Sequence, residues 1–174
     1  MNRVLQAHYC QAWGDESRTM AQPLTERTAK RRYEQGGKWF TAVIGDVSDP
    51  VSVLEINPRE PYRIGAKFFD NHGSVRLTYR FYLVEPERLF LKQVTRWEYP
   101  DDGKFHPMNE STIVEVLFWE EIDGVVRRRV DDGNTVHAED YRDVPIDANW
   151  EPYPVFGDFA SIAREDRDHP PAPV

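Results

Sequence analysis

Apolar and polar residues alternate along most of the chain, and the alternation is clearest between Val75 and Leu83. In this stretch every second residue is apolar, and the residues between them are Arg, Thr or Tyr. A period of two is typical of a β-strand that buries one face and exposes the other to water. Such half-buried strands are characteristic of antiparallel sheets. We therefore predict an antiparallel strand here.

Seven further stretches of this kind lie between residues 39 and 144. They are bounded by sequences rich in Gly, Pro, Asn or Asp, including the hairpin-like pair Asp123-Gly124. Because most connections are short, consecutive strands are expected to pair. Residues 38–144 are thus predicted to form an antiparallel meander of about eight strands, as a curved sheet, a half-barrel or a barrel. Gly65 is expected to mark a bend or bulge.

The first 37 residues have a helical pattern instead. Apolar residues recur at spacings of three and four within residues 2–13, which predicts an amphipathic helix. A second helix is predicted over residues 24–35, because good helix formers precede Gly36 and Gly37, where a left-handed cap fits. Trp39 then opens the first strand, as a core residue or as a plug at the end of the sheet. We therefore expect a helical leader over residues 1–37.

After Val144 prolines alternate with aromatic residues. Proline interrupts sheet hydrogen bonding, so residues 145–166 are expected to pack as irregular chain over an opening or an edge. Asp158 could cap a last short helix from Phe159 to Arg164. Residues 167–174 are polar and rich in proline, and we expect them to be disordered. The prediction is a single α+β domain over residues 1–166 that is mainly antiparallel β.

Composition and charge narrow the compartment and the partners. The chain has 174 residues and a single cysteine, so it can bury its own core and has no internal disulfide framework. A lone cysteine suits a reducing compartment, and neither a signal peptide nor a membrane span is recognised, so a cytoplasmic location is predicted. The net charge of −8 argues against nucleic acid as a partner.

Few residue patterns point to catalysis. The histidines are scattered and no metal-binding or phosphate-binding motif occurs, so no metal and no cofactor are predicted. If their strand faces point inward, Gln93, Trp97 and Glu115 would line a ligand cavity, with Glu115 as an acid or base. His137 and Tyr141 share a face of the last strand and are the other catalytic candidates. The neighbouring apolar residues favour instead that Glu115 and His137 face water.

Two functions fit these patterns. The first is a cytosolic protein-binding module, for instance an immunity or antitoxin-type protein that occludes the active site of a basic partner. Its candidate partner-binding residues are acids in loops and aromatic residues after residue 144: Asp101, Asp102, Asp131, Asp132, Trp150, Tyr153 and Phe156.

The second function is a small-ligand-binding barrel or half-barrel, such as an isomerase, cyclase or hydrolase that uses Glu115 or His137. The sequence favours binding over catalysis, because no catalytic motif accompanies these residues. An unclosed sheet would also leave exposed edges through which a homo-oligomer could form.

Overall fold

A computed structural model describes residues 6–120, 125–131 and 135–167 of the chain. In these ranges eleven strands form one antiparallel sheet, accompanied by one α-helix, α1, at Glu26–Glu34. The strands are β1 Ala7–Gly14, β2 Thr19–Leu24, β3 Phe40–Asp46, β4 Asp49–Asn57, β5 Arg63–Phe69, β6 Val75–Glu85, β7 Arg88–Glu98, β8 Thr112–Trp119, β9 Val125–Asp131, β10 Val136–Tyr141 and β11 Trp150–Pro152. The predicted class, mainly antiparallel β, is confirmed.

Strands β3 to β10 form the predicted meander, in which each strand pairs with the next. The hairpin of β1 and β2 extends the sheet beyond β3, so the spatial order is β2-β1-β3-β4-β5-β6-β7-β8-β9-β10, and β11 pairs separately with β7. In the described part of the chain, β2 and β10 are the two edges and do not pair with each other. The sheet is therefore open, and the closed-barrel alternative is wrong.

The predicted helical leader over residues 1–37 is wrong for residues 7–24, which form the β1–β2 hairpin. Strand β1 lies between β2 and β3, and Tyr9, Cys10 and Trp13 are all buried. Tyr9 belongs to one core cluster, whereas Cys10 and Trp13 belong to another. Because β1 buries residues in two clusters, its apolar and polar residues do not strictly alternate. The spacing of its apolar residues can then resemble that of a helix.

The helix predicted over residues 24–35 is present as α1. Thr25 caps its start, since the Thr25 hydroxyl oxygen accepts a hydrogen bond from the backbone N–H of Thr28 at 3.2 Å. Its end is marked by Gly36, which adopts a φ of 63° in the left-handed region that favours glycine. Ala29 and Tyr33 are buried, so this side of α1 joins the core.

One face of the sheet, here called the covered face, carries the larger of the two core clusters. Phe40, Ile56, Ile64 and Phe81 are paired in register across four neighbouring strands and are almost completely buried. Helix α1 and residues 145–167, here called the closing segment, contribute to the same cluster. The opposite face, here called the open face, carries the alternate residues of each strand. The closing segment thus completes the core as irregular chain, as the sequence indicated.

The closing segment also adds a strand, which the sequence did not predict. Trp150–Pro152 pairs with the start of β7, and Glu151 lies opposite Leu89. Pro152 is tolerated because it ends a short strand that pairs on one side only, where a missing N–H costs little.

The C-terminal helix predicted from Phe159 to Arg164 is a single turn. The backbone N–H groups of Ile162 and Ala163 donate to the carbonyl of Phe159, and the turn does not continue into a helix. Arg167, which the sequence placed in the disordered tail, is packed with its side chain only 3% exposed. The rest of that tail, residues 168–174, lies outside the described residues.

Candidate functional site

The open face carries a groove of about 340 Å³ that reaches from the start of β3 to β6. The residues around it are Trp39, Glu55, Ile56, Asn57, Arg63, Gly65 and Arg80. Gly65 is paired in register with Glu55 on one side and with Arg80 on the other. Paired residues in a sheet point to the same face, so Glu55 and Arg80 flank a position without a side chain.

Gly65 does not mark a bulge, which was one of the two features that the sequence predicted there. The pairing of β5 runs unbroken through Gly65, and its irregularity lies between Phe68 and Phe69. The φ of Gly65 is outside the left-handed region, and a Cβ atom there would approach no other atom closer than 3.9 Å. Glycine inside a strand costs about 0.5–1 kcal/mol relative to alanine. Neither conformation nor crowding requires this glycine, and its effect is to keep the floor of the groove open.

Trp39 forms a wall of the groove and is 47% exposed, so it is neither a core residue nor a plug. Its backbone carbonyl accepts hydrogen bonds from Gln11 Nε2 at 3.0 Å and from Arg32 Nη1 at 3.4 Å. Arg32 Nη1 also donates to Gln11 Oε1 at 2.8 Å. These contacts anchor the backbone of Trp39 while the indole remains accessible.

The carboxylate in the groove, that of Glu55, is already paired. Glu55 Oε1 lies 2.9 Å from Lys67 Nζ, which also lies 2.8 Å from Asp15 Oδ2. Burial alone would lower the pKa of Lys67, but the carboxylates of Glu55 and Asp15 outweigh it and raise that pKa. Lys67 therefore stays protonated and offsets one of the two negative charges beside it.

The two arginines of the groove are less engaged. Arg80 Nη1 donates to the neutral Gln93 side chain at 3.3 Å. Arg63 forms no hydrogen bond or ion pair with any residue that the structure describes. Both Arg63 and Arg80 are exposed. The groove thus offers two guanidinium groups to an external anion.

The predicted cavity residues Gln93 and Glu115 also lie on the open face. Gln93 Nε2 donates to Thr95 Oγ1 at 3.2 Å and to Glu115 Oε2, so these side chains bond to one another. Trp97 is elsewhere, in a second depression of about 290 Å³ next to Tyr99. Gln93, Trp97 and Glu115 therefore do not enclose a common cavity.

The structure does not bring the catalytic candidates together. Glu115 pairs with Arg129, which pairs with Ala138, so His137 and Tyr141 lie on the other face of the sheet. His137 is exposed on the edge strand β10. Separated by the sheet, Glu115 and His137 cannot act as an acid–base pair.

The aromatic partner-binding candidates are packed within the molecule. The Trp150 ring meets that of Phe90 at 4.8 Å, and Tyr153 meets Tyr62 at 4.8 Å between ring centroids. Phe156 stacks on another ring of the core cluster at 5.2 Å. These rings stabilise the closing segment, and much of their surface is therefore unavailable to a partner.

The acidic partner-binding candidates have different surroundings. Asp101 is exposed, whereas Asp102 Oδ1 lies 2.9 Å from Nε2 of His106. The side chain of Asp131 and all of Asp132 lie outside the described residues. A partner-binding role for these four acids stays a prediction.

His106 is held between two carboxylates, a cluster that the sequence reasoning missed. Its Nδ1 lies 3.0 Å from Glu110 Oε2, its Nε2 contacts Asp102, and its ring stacks on Tyr99 at 5.8 Å. The hydrogen bonds that His106 donates to Glu110 and Asp102 raise the pKa of His106, and the bond from His106 lowers the pKa of Asp102. Both ring nitrogens must carry protons to donate to both acids, so the imidazolium is favoured. The sequence contained one signal for this cluster, namely an acidic residue four positions before His106 and another four positions after it.

A buried ion pair joins strand β11 to the end of the closing segment, and its arginine packs on the covered face. The Glu151 side chain is 7% exposed and bonds to Arg167, while Arg164 Nη2 lies 3.1 Å from Glu151 Oε1. The Arg167 guanidinium lies over the rings of Phe81 at 4.8 Å and Tyr79 at 5.6 Å. Burial lowers the pKa of Arg167 despite Glu151, but an arginine stays charged at all physiological pH values.

Within residues 6–120, 125–131 and 135–167, no group of three or more His, Cys, Asp or Glu residues is arranged to hold a metal ion. No helix in the same ranges is both long enough and apolar enough to span a membrane. Comparisons of the chain with protein-family models, with curated proteins and with solved structures gave no match. The geometry of the groove therefore carries the functional argument.

Proposed function

We propose that this chain is a non-catalytic protein-binding module that recognises its partner through the groove around Gly65. The observation that carries the proposal is the half-exposed indole of Trp39 beside a groove floor without a side chain. Tryptophan and arginine are the residue types most enriched in binding hot spots, and this groove contains both. The strands beneath hold these residues on a rigid scaffold, which suits recognition.

The covered face gives less support to chemistry on an enclosed ligand. The rings of Tyr33 and Tyr62 lie 6.3 Å apart, and Phe156 packs against Tyr33 at 5.7 Å, so aromatic side chains occupy the space beneath α1. Burial raises the pKa of Tyr62 and of Tyr33 above the usual range of a phenol. Both phenols therefore remain protonated and are poor proton acceptors. Recognition on the outside of the sheet is better supported than a reaction inside it.

A narrower role stays within the same proposal. An immunity or antitoxin-type protein would use the groove to cover the active site of its partner. Such a role needs a rigid surface, and the paired strands under the groove support it. A cytoplasmic location would be consistent with it.

The test uses three purified forms of the chain as baits in a lysate of the native cell: wild type, Trp39→Ser and Val155→Ser. Val155 is 76% exposed and is not part of the groove, so it provides a matched loss of exposed apolar surface. A protein recovered stoichiometrically by wild type and by Val155→Ser should be reduced about thirtyfold with Trp39→Ser, because a hot-spot tryptophan contributes about 2 kcal/mol or more. Equal recovery by Trp39→Ser would mean that recognition lies elsewhere.

A further inference from the structure

We propose that the groove binds a carboxylate of an acidic segment of a partner protein. The guanidinium groups of Arg63 and Arg80 form the anion site, and the indole of Trp39 packs against an apolar side chain next to the acid. This inference rests on the proposed function, and it adds the charge and composition of the segment that is recognised.

The state of the two arginines carries the first step. In the described part of the chain, Arg63 has no hydrogen-bond or ion-pair partner, and Arg80 has one bond of 3.3 Å to the neutral amide of Gln93. A guanidinium presents a planar fork of N–H donors that matches the two oxygens of a carboxylate. Arg63 can therefore bind an anion without first breaking a bond within the protein, and Arg80 would give up only a weak one.

The charge balance carries the second step. Glu55 would oppose an incoming carboxylate, and Lys67, which lies 2.9 Å from it, is shared with Asp15, so these three side chains together keep one negative charge. The net charge of −8 is spread over the whole chain. At physiological ionic strength, charges more than about 8 Å away are largely screened. Among the residues that line the groove, Arg63 and Arg80 carry two positive charges against the single negative charge of Glu55, and this balance favours an anion.

The shape of the groove carries the third step. At about 340 Å³ it has room for one or two side chains, which suits an acid beside an apolar residue. The missing side chain of Gly65 leaves the space next to Arg80 open, because these two residues are paired in register. The exposed ring of Trp39 then supplies the apolar wall. The occupant that fits is an acidic and apolar dipeptide unit within a longer segment.

The test is an NMR titration of the ¹⁵N-labelled chain with three blocked tripeptides: acetyl-Asp-Phe-Asp-amide, acetyl-Asn-Phe-Asn-amide and acetyl-Lys-Phe-Lys-amide. The Asp peptide should shift the backbone amide of Gly65 and the indole N–H of Trp39. The Asn peptide, which has nearly the same shape without the charge, should bind about tenfold more weakly, since a charge-assisted hydrogen bond is roughly twice as strong as a neutral one. Equal or tighter binding of the Asn or Lys peptide overturns the anion site, as do shifts confined to another surface.

Three variants connect the binding to the groove. Arg63→Gln and Arg80→Gln should each weaken the Asp peptide about tenfold, whereas Arg88→Gln, a change at an exposed arginine that does not line the groove, should leave it unchanged. Gly65→Ala adds one methyl group to the floor without a close contact and should weaken the same peptide. Wild-type affinity in Arg63→Gln and in Gly65→Ala would overturn the assignment to this groove.

A final arm separates a peptide segment from a small free acid. If phenylacetate gives the same shifts and binds more tightly than the Asp peptide, the site takes a small carboxylic acid, and the proposal of a partner segment is overturned. The binding function and the carboxylate preference can also fail separately. Loss of the captured partner with Trp39→Ser while all three peptides bind equally would retain the binding function and reject the carboxylate. Tight binding of the Asp peptide together with normal capture by Trp39→Ser would retain the carboxylate site and reject the groove as the surface that recognises the partner.

Discussion

The ion pair between Glu151 and Arg167 should contribute far more to stability than an exposed pair, because both partners are buried. Glu151→Gln keeps the size of the side chain and one acceptor oxygen but removes the charge that faces Arg167. The side chains of Glu151 and Arg167 are 7% and 3% exposed, so Arg167 would be left charged and nearly inaccessible to water. Breaking a buried pair from one side costs about 3–5 kcal/mol. The remaining amide oxygen favours the lower end, about 3 kcal/mol.

A matched control lies on the surface. Glu85 Oε2 is 3.0 Å from Arg88, in a pair whose side chains are about half exposed. Glu85→Gln should therefore cost less than about 1 kcal/mol. Urea unfolding followed by circular dichroism gives the free energy of unfolding for both variants at pH 7. The cost of Glu151→Gln should persist in 1 M NaCl, whereas the small cost of Glu85→Gln should disappear, because salt screens exposed charges most strongly.

A double variant tests whether Glu151 and Arg167 stabilise the protein as a pair. Replacing Glu151 by Gln and Arg167 by Met in the same chain removes both buried charges, and such neutral replacements are often close to neutral in stability. The double variant should thus be more stable than Glu151→Gln alone. If the costs of Glu151→Gln and Arg167→Met simply add, or if Glu151→Gln costs no more than Glu85→Gln, the ion pair does not hold the end of the closing segment against strand β11.

Three further predictions concern other parts of the sheet. His106→Gln should be less stable than wild type mainly between about pH 4 and 6.5. The pKa of His106 is raised in the folded protein, so its contribution to stability is complete below about pH 6.5 and is lost as pH rises through that folded-state pKa. The pKa of Asp102 is lowered in the folded protein, and its protonation sets the acid limit. An equal difference in Tm at pH 5 and pH 9 would contradict this. Lys67→Met should lower the free energy of unfolding by about 1–3 kcal/mol more than Lys30→Met. The reason is that Lys67 bonds to two carboxylates, whereas Lys30 forms one exposed pair at 3.9 Å. Similar costs of the two variants in urea unfolding would argue against a stabilising role of Lys67. Gly65→Ala should raise the free energy of unfolding by about 0.5–1 kcal/mol, since the backbone and the surroundings of Gly65 accept a Cβ atom. A loss of stability in this variant would contradict that reasoning.

The structure also separates features that local sequence can predict from those it cannot. The alternation from Val75 to Leu83 predicted β6 because one face of that strand is buried and the other is wet. The two glycines after residue 35 predicted the end of α1, because Gly36 adopts a left-handed φ that few other residues accept. Both signals depend on neighbours along the chain. The bulge expected at Gly65 was a local signal that the structure does not bear out, because the pairing of β5 is regular there.

The candidate site depended on contacts between distant parts of the chain. The alternation of β3 did not reveal that the indole of Trp39 would remain half exposed, and the sequence around Gly65 did not reveal that it would lie between Glu55 and Arg80. Pairing of three strands decides that arrangement. The groove could therefore not be recognised from any single strand.

By itself, then, the amino-acid sequence determined the antiparallel class, the meander and the place of α1 in the chain, because period and capping act over a few residues. Only the tertiary structure decided that residues 7–24 are a hairpin, that Arg167 is buried and that the sheet stays open. Each of these depends on what packs against the segment: β1 is flanked by two strands, and Arg167 is paired with Glu151. Burial and charge pairing join residues far apart in the chain, and local patterns do not encode which of them will meet.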